Sequence, residues 1–171
     1  MARIPRAILS PKRARLLRPQ LEQLVSQTSL QTADPVCFVR RYSDPADAEV
    51  AAVFASTLAF GRVAAFMPVI EAVLLRADAR GGPARWVDGF DSADERALEP
   101  IRYRWLQGAD LGLLARSVGR LREEHGSLEQ ILVQGHRPES PDIGETLDRF
   151  LGLLRQAAVE LDQAAEFSEL R

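Results

Sequence analysis

The chain has 171 residues, 46% hydrophobic and 27% charged, with a formal net charge of −2. That length and composition suit one globular domain with a real core, and no apolar run approaches the ~20 residues needed to span a bilayer. The N-terminus lacks the apolar stretch and small-residue cleavage site of a secretory signal, so a cytoplasmic location is expected.

One cysteine, Cys37, excludes an internal disulfide and a zinc site built from several thiolates. Residues 1–20 carry six basic groups and no acid, whereas residues 121–171 carry eleven acids and five arginines. A basic arm opposite an acidic tail points to a nucleic-acid contact or to charge matching within the chain. Lys12 is the one lysine among 22 basic side chains. Arginine's fork favours phosphate, although a GC-rich coding sequence more often produces such a bias.

Nearly every segment repeats its apolar residues at the helical period and none alternates, so the fold expected is all-α, a multi-helix bundle. A first helix from about Pro11 to Gln27 turns Leu16, Leu17, Leu21, Leu24 and Val25 inward, with Pro19 kinking or restarting it. In "TADPVCFVRRY" Asp34 caps a short helix that begins at Pro35 and carries Val36, Phe38 and Val39.

"SDPADAEVAAVFASTLAFGRV", residues 43–63, is the clearest helix. Asp44 caps it, Pro45 takes the first turn, and Asp47 and Glu49 face the positive end of its dipole. Val50, Val53, Phe54, Thr57 and Leu58 form one face, while Ala48, Ala51, Ala52, Ala55, Ser56 and Ala59 form a small one. Such a helix is expected at the centre of a bundle, covered on both sides. Gly61 is expected as its left-handed C-cap.

The next helix runs to about Arg76 with Phe66, Ile70, Val73 and Leu74 inward, and Pro68 predicts a kink or a later start. "RGGPARWVDGF" reads as a loop with a helical turn at Trp86. "IRYRWLQGAD" leads into a helix from Asp110 to about His125 that buries Leu111, Leu114, Val118 and Leu121. Gly126 ends it, and Ser127 with Gln130 forms a capping box for the next. "VQGHRPESPDIG" is the best linker. A long helix from about Asp142 to Glu166 follows, with Ile143, Leu147, Phe150, Leu151, Leu154, Ala158 and Leu161 in phase. The organisation expected is a basic arm and first helix over 1–28, a helical domain over 29–135, and 136–171 as linker and long helix of that same domain.

No phosphate loop, zinc signature or nucleophile elbow is present, and no catalytic residue, metal or cofactor is expected. Asp44, Asp47 and Glu49 could hold a hard cation, but acids in a first turn are expected for capping alone. Arg62 could reach a phosphate or the carbonyls ending the preceding helix. "RYRW", residues 102–105, interleaves Arg102 and Arg104 with aromatics, a pattern suited to stacking and phosphate contact, or to a core aromatic flanked by cations.

"DPVCFVRRYSDPADAEVAAVFASTLAFGRV" resembles the N-terminal signature of domain of unknown function 2400, a mostly bacterial family. Asp34, Pro35, Phe38, Arg41, Tyr42, Asp47, Glu49, Ala52, Leu58, Gly61 and Arg62 fit it. "YRW" at Tyr103–Trp105 stands where that family has YRF, and "HGSLEQIL" matches a further stretch, so the resemblance runs from about Ala33 to Leu132. The family is in turn distantly similar to helix-hairpin-helix DNA glycosylases, which implies a glycosylase-like N-terminal helical half. In such enzymes a buried helix ends in a polar loop that approaches DNA, the role Gly61 and Arg62 would inherit. The resemblance also implies a longer protein with "RWMVR" and Asp-Thr-His segments, absent here, and hence a truncated chain without its own catalysis. Nucleic acid is the partner expected, through Gly61, Arg62, Arg102 and Arg104. The alternative is a helical module that joins another chain or a second copy.

Overall fold

The computed structural model describes residues 11–27, 34–137, 139–140 and 142–169, without the side chains of 11, 14, 21, 23–27 and 165–169. The chain divides into two compact units, Met1–Asp34 and Pro35–Arg171. In the first, α1 (Pro11–Gln27) continues through Pro19 without the expected restart. Leu16 and Leu17 are exposed rather than inward. Leu21, Leu24 and Val25 lie outside the described side chains, and Arg3 and Arg6 of the basic arm lie outside the described residues.

The second unit is the bundle. Its helices are α2 (Val36–Val39), α3 (Pro45–Leu58), α4 (Val63–Ala79), α5 (Pro83–Asp88), α6 (Ser92–Leu98), α7 (Gly108–His125), α8 (Leu128–Gly135) and α9 (Gly144–Glu169). The fold is all-α apart from one small antiparallel hairpin, β1 (Arg102–Tyr103) and β2 (Leu106–Gln107), which pairs Tyr103 with Leu106. The sequence leads straight from this segment into a helix, so the hairpin is a correction to it.

α3 begins as its sequence dictates, with Asp44 accepting from the Ala46 amide at 2.7 Å and Pro45 following. Val50, Phe54 and Leu58 are buried, as are Ala51 and Ala55, and α2, α4, α5 and α8 pack around them. Coverage on both sides is incomplete, because Ser56 and Thr57 are exposed and Ala48 and Ala52 only half-buried. Those small residues leave an open apolar groove of about 590 Å³, closed on its far side by Leu128, Leu147 and Phe150.

α4 starts at Val63 and runs through Pro68 unbroken, burying Phe66, Ile70, Val73 and Leu74 as expected. Trp86 on α5 is 1% exposed, with Phe54 and Phe90 ring centroids 5.3 and 5.4 Å away. α6 has no counterpart in the sequence reading, although its signal is present: Asp91 and Asp94 form a reciprocal capping box.

α7 buries Leu111, Val118 and Leu121, with Leu114 half-buried, and stops at Gly126 with φ +82°. It lies backbone-close to α5, since a β-carbon on Gly119 would collide with the Val87 carbonyl. The phase of α9 meets expectation in part, with Phe150 and Leu154 packed on the core and Ala158 and Leu161 half-buried. Thr146 and Ala157 are buried, whereas Ile143, Leu147 and Leu151 are exposed. Phe150, Leu153 and Leu154 are half-buried and pack on the core, with α7 and α8 as the helices that α9 meets, and the apolar arc of α9 is wider than that seat.

Two glycine substitutions test this packing in opposite directions. Gly119→Ala should destabilise the fold by about 1–3 kcal/mol, because backbone cannot move aside as a flexible side chain can. Gly152→Ala, whose β-carbon would meet nothing within 4 Å, should stabilise α9 by about 0.5–1 kcal/mol. Urea denaturation midpoints check both, and equal effects at the two sites would contradict the close α5–α7 approach.

Candidate nucleic-acid interface

The turn between α3 and α4 is built in two steps. Ala59, at φ −75° and ψ 59°, forms an inverse γ-turn in which the Phe60 amide donates to the Leu58 carbonyl at 2.8 Å. Gly61 then adopts φ +89° and swings the chain into α4. It is therefore not the C-cap of α3, which the γ-turn has already closed. Arg62 stands at the N-cap of α4, and its carbonyl accepts the Ala65 amide at 2.8 Å. The Arg62 side chain is exposed and makes no hydrogen bond or ion pair among the described residues, so the expected contact with helix-end carbonyls is not formed.

The hairpin docks on this turn. Its two-residue loop is Arg104–Trp105, and Arg104 takes φ +53°, a conformation usually left to Gly or Asn. The Tyr103 hydroxyl donates to the Phe60 carbonyl across 43 residues of sequence. Phe60 lies 4.8 Å from the Tyr103 ring and 4.9 Å from the Trp105 ring, the latter nearly parallel at 20°. The Arg104 guanidinium sits 5.8 and 5.9 Å from the Phe60 and Trp105 centroids. A β-carbon on Gly61 would lie 3.1 Å from both Arg104 Nη2 and Tyr103 Oη. Gly61 and Arg104, both marked in the sequence, are thus neighbours. Tyr103 is the core aromatic of "RYRW", whereas Trp105 is 69% exposed.

Arg102 bonds across the strands to Gln107 Oε1 at 3.1 Å. None of Arg62, Arg102 and Arg104 pairs with a carboxylate among the described residues, in contrast to Arg41 on Glu71, Arg80 on Asp91 and Arg122 on Asp88. Phe60 and Trp105 were not singled out as site residues by sequence. The signal is there, Phe60 before "GR" and Trp105 after "RYR", but it is readable only once the two segments meet.

The other marked residues tie helices together. Arg41 lies 4.6 Å over the buried Phe38 ring and grips Glu71 with both nitrogens. Tyr42 donates to Asp78 at 2.9 Å, and burial with that bond pushes its hydroxyl well above the usual tyrosine range. Asp47, in the first turn of α3 as expected, and Glu49 also reach beyond their own helix. Asp47 accepts from the Ala84 amide at 2.8 Å, near the start of α5, and Glu49 from the Leu128 amide at 2.8 Å, starting α8. Ser127 caps Gln130 at 3.1 Å. Arg122, bidentate on Asp88 at 2.8 and 3.1 Å, is held above its usual range chiefly by that bond, with Glu49 and Asp47 adding attraction. Pro35 occupies the N-cap of α2, one residue later than the sequence predicts.

Residues 34–169 match the family DUF2400, proteins of unknown function. The chain belongs to that family. The match extends past Leu132, where the recognisable motifs end, so α8 and α9 are part of the DUF2400 region and α1 precedes it. No curated protein and no solved structure matches the chain. Among the described residues no helix is long and apolar enough to cross a membrane.

Gly61→Ala should destabilise the protein by about 1–2 kcal/mol, from the positive φ alone, and displace Arg104. A red or blue shift of Trp105 emission together with a lower melting temperature checks this, whereas a variant identical to the native chain on both measures would refute it. Arg41 holds the Glu71 carboxyl below its ordinary value of 4.5. The pair therefore stabilises the fold above that pH, and its contribution is lost as pH falls through the lowered value. With both side chains about two-fifths exposed, Glu71→Gln should lose at most about 1 kcal/mol at pH 7. Its melting temperature should converge on the native one as pH falls through the lowered Glu71 value, and a pH-independent difference would contradict the ion pair.

Proposed function

We propose that this DUF2400 chain binds nucleic acid at the face formed by the α3–α4 turn and the hairpin, with Arg62, Arg102 and Arg104 contacting phosphates. The observation that carries the reading is the meeting of "FGR" and "YRW", which sets arginines without carboxylate partners around a common aromatic stack. Guanidinium groups left without an acid retain their full charge for phosphate, which their fork fits. The distant similarity to DNA glycosylases that the sequence motifs imply, with a loop after a buried helix approaching DNA, is in keeping with the same surface. Binding, without catalysis by this chain, is the function proposed. A partner helix or a second copy would find its seat in the apolar groove beside α3, but nothing in the structure shows what covers that groove.

Fluorescence anisotropy with a labelled oligonucleotide tests the reading. Three phosphate contacts give a log–log salt slope of about −2 to −3, so affinity should fall roughly 16- to 64-fold between 50 and 200 mM salt. Replacing both Arg62 and Arg104 by Ala should make the slope shallower by about 1.5. No binding at 50 mM salt, or a slope indifferent to the double substitution, removes the proposal.

A further inference from the structure

We infer that the outer face of Trp105 is a stacking seat for an unpaired nucleobase, so that the ligand is a single strand rather than a closed duplex. The inference rests on the nucleic-acid reading above and adds the class of substrate. A single exposed tryptophan needs no explanation by itself. This one is unusual in being held rather than loose. One face of its ring is backed by Phe60 at 4.9 Å and 20°, and Phe60 is in turn pinned by Tyr103, whose hydroxyl bonds to the Phe60 carbonyl. Indole surface beyond the Phe60 contact is available to a ligand, since 69% of the residue is exposed.

Arg104 stands beside the same ring at 5.9 Å, and its left-handed backbone places it at the tip of the hairpin with Trp105. A base laid on the indole would therefore have a guanidinium within reach of its own phosphate. Aromatic side chains backed by cations are the recurring seat for unstacked bases, whereas a base inside a duplex already has both faces covered. A preorganised ring also loses little conformational freedom when the base arrives.

Tryptophan emission and affinity test this together in the full chain. Trp86 is 1% exposed, so quenching by an oligonucleotide reports on Trp105. At about 50 mM salt, single-stranded oligodeoxyuridylate or oligouridylate should bind more tightly than a duplex of equal length and should quench emission; the tighter of the two strands identifies the sugar. Trp105→Ala should weaken strand binding roughly 5- to 150-fold, and Trp105→Phe should retain most of it. Unchanged melting curves for both variants guard against misfolding. If Trp105→Ala binds as the native chain does while Arg62→Ala with Arg104→Ala weakens binding, phosphate contact stands and the stacking seat falls. Equal affinity for strand and duplex without quenching also overturns the seat. If no oligonucleotide binds, both readings fall.

Discussion

Amides at the start of a helix have no partner within it, and inside a packed bundle they need an acceptor supplied from elsewhere. The first two turns of α3 supply three. Asp44 serves its own helix, Asp47 reaches α5 and Glu49 reaches α8. Each of the two long reaches, across 37 and 79 residues of sequence, fixes where a distant helix begins relative to α3. Leaving either amide unpaired would cost about 1–3 kcal/mol. Arg122 lies behind the acids and answers their charge. The acids that could have been taken for a cation site are thus occupied with holding the bundle.

With its start tied to α5 and α8 and Val50, Phe54 and Leu58 buried, α3 delivers its end to a definite place. The γ-turn at Ala59 and the left-handed Gly61 then carry the chain past the hairpin at van der Waals distance. The hairpin is too short to be stable alone, and it borrows its order from Phe60 through Tyr103. Strain at Arg104, of the order of 1–2 kcal/mol, is thereby tolerated at the point where charge and aromatic surface coincide.

Several other arginines are committed elsewhere. Arg76 donates to the Ala72 and Ala97 carbonyls, both at 2.5 Å, and Arg41, Arg80 and Arg122 lie on carboxylates. An overall charge of −2 is therefore compatible with a locally basic face, because it is the pairing of charges and not their sum that a phosphate meets. The apolar arc of α9 shows the same distinction for hydrophobic residues. Leu147 and Leu151 repeat at helical spacing yet remain exposed, while Phe150 and Leu154 of the same arc pack on the core.

Local chemistry alone made the fold class legible, with the start of α3, the stop at Gly126, the cap at Ser127 and the faces of α4 and α7. Those features depend on residues within a turn or two of one another, and periodicity and capping report such neighbours directly. The capping box of α6 is equally local. The hairpin was not legible, because Arg104 stands where a turn residue would announce it. Membership of DUF2400 was also present in the motifs, although their reach ended short of the true match. Only the tertiary structure decided which helix each acid of α3 would cap, which apolar residues of α9 would stay in water, and that Gly61 and Arg104 would touch. Those outcomes join residues tens of positions apart, and the space left by neighbouring side chains selects the partner, which no local pattern encodes.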